Sequence, residues 1–140
     1  MRRYSLDIGR ILLSIIFLGS AATKIADPAG TQAYMAAFGL PMTGVLLAGA
    51  VATEVLGGLA LLLGVKVRWA AFVLVGFLSF ATLVFHTNFA EQQQILHFLK
   101  NVAIIGGLVL VMAEGPGPLS LGTQGDSPAR ANTAVASEAK

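Results

Sequence analysis

Residues 42–63 read MTGVLLAGAVATEVLGGLALLL, a run that contains one charge, Glu54, and no proline. At ~1.5 Å per residue it makes a helix long enough to cross a hydrocarbon layer of ~30 Å. The run is continuous and does not alternate apolar with polar, which argues against a barrel strand. In lipid only a helix satisfies its own backbone within one such segment.

Working outward, three more runs have the same character: 8–25, 67–85 and 95–112. Each is about 18 to 22 residues, the length of a membrane span. Of the 140 residues 56% are hydrophobic and 11% charged, and mean hydropathy is +0.78. A soluble domain carries about a quarter of its residues as charges. Here the few charges cluster between the apolar runs, as they do between bilayer spans. The sequence therefore predicts an all-α integral membrane four-helix bundle occupying 1–121. A cleaved signal peptide is the rival reading of the first run, since Arg2 and Arg3 precede it and Gly19–Ala22 are small. Asp7 and Arg10 interrupt the approach to its apolar core, and three spans follow.

Between spans one and two, Asp27-Pro28 reads as a helix start, with Asp27 as the cap and Pro28 in the first turn. Gly39-Leu40-Pro41 reads as its stop. A helix this short cannot span, so a short interfacial helix is expected, lying at the membrane surface or packed on the bundle rim. From Glu114 onward there is no apolar periodicity, and the tail, 122–140 above all, is expected to be disordered and cytoplasmic. Four spans put both termini and the loop at Lys66 on one side, with Arg2, Arg3, Arg10, Lys66, Arg68, Arg130 and Lys140. Only Lys24 and Lys100 fall on the other side, so both termini should be cytoplasmic. Trp69 beside Arg68 fits an interfacial anchor on the cytoplasmic side.

With no cysteine, thiol chemistry and thiolate metal sites are excluded. No phosphate loop, nucleophile elbow or zinc-protease motif is present. A formal charge of +2 is too small and scattered for nucleic acid.

A charge in hydrocarbon costs several kcal/mol and calls for an explanation. Glu54 lies about 12 residues into its span, ~18 Å from the outer surface. Depth allows Arg10 or Lys100 to reach it, and Asp7 is a second partner for Arg10, three residues earlier on one helix. His97, Lys100 and Asn101 share one face of the fourth helix, while His86 ends the third helix and Lys24 the first. Together these residues predict a polar pocket between helices with Glu54 as its floor, suited to a small ligand with apolar and polar parts. The plainer readings are a structural ion pair for Glu54 and snorkelling to the interface for Lys24 and His86. The two histidines and Glu54 match no metal spacing, so no metal is expected. Stripes of small residues, Gly49-Thr53-Gly57 and Ala50-Glu54-Gly58, are expected to let helices approach closely.

Several motifs together resemble the DoxX family of small bacterial inner-membrane proteins. They are Gly9-Arg10 with Phe17, Gly19 and Lys24, then Gly39-Leu40-Pro41, Glu54 with Gly57-Gly58, and Leu63-Gly64 before Arg68. His86, Phe98-Leu99-Lys100-Asn101, Gly106-Gly107 and Gly115-Pro116-Gly117 with Leu119-Ser120-Leu121 continue the series, over residues 6 to 121. The resemblance implies a four-helix inner-membrane protein, with relatives linked to thiosulfate:quinone oxidoreduction or to redox and detoxification partners. The expected function is a membrane subunit of an oxidoreductase system that binds a quinone or similar amphiphile, without a metal, in the polar pocket. A soluble redox partner protein and a homo-oligomer are the associations that this reading allows. The alternatives are a non-catalytic anchor or assembly protein for a soluble enzyme, and a small-molecule transporter.

Overall fold

The computed structural model describes residues 2–122, with side chains from Tyr4 onward. Five helices follow one another: α1 (Arg2–Ala26), α2 (Pro28–Ala37), α3 (Thr43–Leu63), α4 (Val67–Phe85) and α5 (Gln92–Glu114). All except α2 are long and apolar enough to cross a membrane. The protein is a four-helix membrane bundle. Its neighbours in space are α1–α3, α3–α4, α4–α5 and α5–α1, a closed antiparallel ring. The ring has a terminal end, with the start of α1, the end of α5 and the α3–α4 turn, and a far end, with α2 and the α4–α5 loop.

The core is a column of Phe17, Leu61, Val67, Ala71, Leu74, Ile104, Leu108 and Val111. Large apolar side chains also cover the outside, among them Ile8, Leu12, Leu56, Phe72, Leu83 and Leu110. An apolar exterior of this extent is stable against lipid tails and would be costly in water. The first run is therefore a full member of the bundle, and its Phe17 is one of the most buried residues.

α2 begins as expected: the Asp27 carboxylate accepts from the Gly30 amide at 2.9 Å, and Pro28 occupies the first turn. The helix packs on α3 and touches α1, so it caps the far end of the bundle. Its Tyr34 and Phe38 join Phe85 of α4 in a three-ring cluster with centroids 5.0 to 5.4 Å apart. Such ring pairs contribute ~1 kcal/mol each beyond area burial.

The terminal end is closed by a polar clamp. Asp7 and Arg10 are 1% and 2% exposed and pair at 3.0 Å on one helix. Arg10 also donates to the carbonyls of Leu61 and Leu62, at the end of α3 where carbonyls have no helical partner. A cation there also meets the negative end of the helix dipole. The expectation of a disordered tail from Glu114 onward fails for residues 115–122. That segment folds back over the terminal end, where the Leu119 amide donates to Asp7 at 3.3 Å and Ser120 is buried. Gly64 ends α3 with φ +74, and a Cβ there would collide with Arg10 and Ser120. A strap seated by backbone hydrogen bonds has no apolar period for sequence reading to detect. The remainder of the expected tail, residues 123–140, lies outside the described residues.

The small-residue stripes divide their duties. A Cβ on Gly57 would stand 2.8 Å from Leu74 of α4, and one on Gly58 2.9 Å from Leu18 of α1. Gly49 has open space around its Cα instead. Gly57→Ala is therefore expected to lower stability by about 1–3 kcal/mol through overpacking against a fully buried leucine. Gly49→Ala is expected to be neutral or to stabilise by roughly 0.5–1 kcal/mol through helix propensity. Thermal unfolding of both variants in mild detergent checks the contrast. Equal effects at the two sites would contradict the close approach at Gly57.

Candidate functional site

In the far half of the bundle, beyond the contact of Gly57 with Leu74, α3 and α4 line a cavity of about 520 Å³. Its floor is polar. The Lys24 ammonium donates to Glu54 Oε1 at 2.9 Å and to Ser20 Oγ at 2.7 Å, and Ser20 Oγ donates to the same carboxylate oxygen at 3.0 Å. Glu54 is 3% exposed, and its second oxygen, Oε2, is buried with no hydrogen-bond partner. Leaving one carboxylate oxygen bare costs ~1–3 kcal/mol relative to a satisfied one. The carboxylate is thus tied down through one oxygen and unsatisfied at the other, beside a cavity that it helps to line.

The wall opposite comes from the end of α4 and the first turns of α5. The His86 and His97 rings stack at 5.2 Å with planes 20° apart. His86 Nδ1 lies 2.7 Å from Gln94 Oε1 and, facing an acceptor, donates to it. The Lys100 ammonium donates to His97 Nδ1 at 3.3 Å, which places the proton of a neutral His97 on Nε2. Asn101 donates to Thr82 at 3.0 Å, and Thr82 donates to the Leu78 carbonyl at 2.6 Å, a buried latch between α5 and α4. On the far-end side the lining is Thr31, Tyr34, Met35 and Leu40.

Val45 of α3 and Phe80 of α4 both line the cavity while remaining 64% and 56% exposed. Both belong to candidate membrane spans, so exposed apolar side chains of α3 and α4 form part of the cavity rim.

Of the residues singled out in the sequence, Lys24, Glu54, His86, His97, Lys100 and Asn101 line this one cavity. Arg10 does not. It sits at the terminal end with Asp7, and neither it nor Lys100 is the cation on Glu54. Lys24 takes that place, and only 21% of its side chain is exposed, so it does not snorkel freely. Residue counting fixed the height of each Cα but ignored a four-carbon stem that can run over a turn along its helix. Ser20 was missed, although it stands four residues before Lys24 on the same helix face, which is the signal that could have found it. Tyr34 and Gln94 also carried no readable signal, because their roles depend on how α2 and the α4–α5 loop fold back.

A family model described as DoxX matches residues 5–87, from α1 through the end of α4 and including Lys24, Glu54 and His86. The chain belongs to the DoxX family. Among its curated DoxX-like relatives, the inner membrane protein YqjF of Escherichia coli is 41% identical over 114 residues, 81% of this chain and 86% of that protein. The inner membrane protein YphA of the same organism is 31% identical over 119 residues, covering 81% and 85%. No solved structure matches. Lys100, Asn101 and the strap lie beyond the stretch that the DoxX model covers.

The ion pair gives a direct test. Lys24→Met leaves a buried carboxylate with only Ser20 and is expected to lower stability by about 2–3 kcal/mol, the lower end for a buried pair because the lysine is part-exposed. Adding Glu54→Gln removes the orphan charge and should restore most of that loss. Unfolding midpoints of the two single variants and the double variant measure the coupling. Additive losses would mean that the two side chains do not interact.

Proposed function

We propose that this chain is a multi-pass protein of the bacterial inner membrane, both termini cytoplasmic, that binds a quinone or similar small amphiphile in the Glu54 cavity as the membrane subunit of an oxidoreductase system. The location is supported by the relatives, which bear the name inner membrane protein. The orientation is supported by the excess of lysine and arginine on the terminal side. With the N-terminus cytoplasmic, the cavity belongs to the outer half of the bundle.

The observation that carries the ligand reading is a buried carboxylate with one unpartnered oxygen, Glu54, among the residues that line the cavity. A buried polar atom without a partner is rare in a folded protein and marks a place where something else completes the hydrogen bond. Phe77, Phe80 and Phe85 supply flat apolar walls that suit a ring, while Lys24, Lys100 and the histidines can donate to ring oxygens. Glu54 accepts from a ligand hydroxyl when ionised and donates to a carbonyl when protonated, so it can hold or pass a proton at Oε2. A membrane-soluble ligand links this subunit to whatever partner supplies or removes electrons.

Mass spectrometry of small molecules and proteins that co-purify in mild detergent tests the proposal. We expect a quinone or quinone-like amphiphile with the wild type, depleted at least about tenfold in a folded Glu54→Gln variant, as loss of a charged hydrogen bond at a buried site implies. A stable soluble enzyme with no small ligand in either preparation would overturn it and make the chain an anchor.

A further inference from the structure

The charges that face the cavity do not balance. Its titratable lining consists of Lys24, Tyr34, Glu54, His86, His97 and Lys100. The one carboxylate is already matched by Lys24 at 2.9 Å. Among the described residues no acid pairs with Lys100, whose polar contact is the neutral ring nitrogen of His97 at 3.3 Å. Lys100 stands eight residues inside the start of α5, about 12 Å along the helix, in a candidate membrane span. Lys100 is exposed at the rim of the cavity, its ammonium beside the His97 ring that stacks on His86, a placement in which a cation can meet an oxyanion.

Resting on the amphiphile reading above, we infer that the cavity selects ligands whose head carries an oxyanion, an ionised enol, phenol or carboxylate, and that Lys100 is the residue that selects them. The ligand then spans two polar points. Its oxyanion accepts from the Lys100 ammonium on the α5 wall, and another head-group donor reaches Glu54 Oε2 on the floor. Its apolar part lies against the exposed apolar rim at Val45 and Phe80. Two head-group contacts on opposite walls fix the orientation of the ring, whereas a neutral head would leave Lys100 without a counter-charge. A phospholipid phosphate offers the same oxyanion chemistry, so the two sources must be separated by experiment.

The test uses the full chain in nanodiscs of phosphatidylcholine, with empty nanodiscs subtracted to remove simple partitioning. The probes are an alkyl hydroxynaphthoquinone, whose enol is ionised at neutral pH, and its methyl ether, which is neutral and nearly the same shape. We expect the acid to bind about three- to fivefold more tightly than the ether, the size of one ion pair at an exposed rim. Lys100→Met should abolish that preference, and Lys100→Arg should keep it. The ratio of two ligands on one preparation is independent of how much of a variant is folded. A lysine that merely snorkels to water imparts no preference, so equal binding of acid and ether to the wild type overturns the inference. An acid preference that survives in Lys100→Met also overturns it. If both probes bind equally and Glu54→Gln weakens both, the oxyanion reading falls while the amphiphile reading stands. If neither binds, both fall. Adding phosphatidylglycerol to the nanodiscs separates the sources. Competition with the acid that vanishes in Lys100→Met assigns the subsite to a lipid phosphate, and absence of competition assigns it to the free acidic amphiphile.

Discussion

The triangle of Lys24, Ser20 and Glu54 ties α1 to α3 around a carboxylate that is buried inside the bundle. In that setting a carboxylate must find its partner inside the bundle, and the cation that satisfies it comes from the neighbouring helix. α1 and α3 form the most extensive helix contact of the fold, and their register follows from this pairing together with the fit of Gly58 around Leu18. At the opposite end Asp7 and Arg10 do the same for the terminal side, where Arg10 caps the last carbonyls of α3 and Asp7 receives the strap. The apolar column lies between the two clamps. Lipid gives helices no hydrophobic reason to associate with one another, so these polar ties and the close-packed glycines carry much of the specificity.

The cavity follows from the same constraint. α3 and α4 are in intimate contact at Gly57 and Leu74, and beyond that point the glycine that could have continued the contact, Gly49, faces open space. The volume left over is bounded by phenylalanines on one side and by the ion pair below. A purely structural carboxylate would be expected to satisfy both oxygens; Glu54 satisfies one. The exposed apolar rim at Val45 and Phe80 matters as much as the polar floor, because together they give the cavity both apolar and polar surfaces.

Composition and apolar run length were enough to establish the class of the protein, its four spans and the short helix after Asp27-Pro28. Those features are local. A span is a property of some twenty consecutive residues and of the thickness of a bilayer, and a cap is a property of four residues. Membrane energetics likewise picked out Glu54, Lys24, His86, His97, Lys100 and Asn101 one residue at a time, because each polar group in a span is conspicuous without reference to its neighbours.

What only the tertiary structure decided is which of those residues meet. Arg10 and Lys100 looked as able to reach Glu54 as any cation, yet the helix packing gives the position to Lys24 and sends Arg10 to the far side of the core with Asp7. Partner choice depends on helix rotation, tilt and side-chain reach, which are set by the sum of many small contacts between residues distant in the chain. The strap of residues 115–122 is held by backbone hydrogen bonds and close fits around glycine, neither of which leaves a periodic trace in sequence. The cavity belongs to no residue at all; it is the space left where helices part, and it exists only once they are packed.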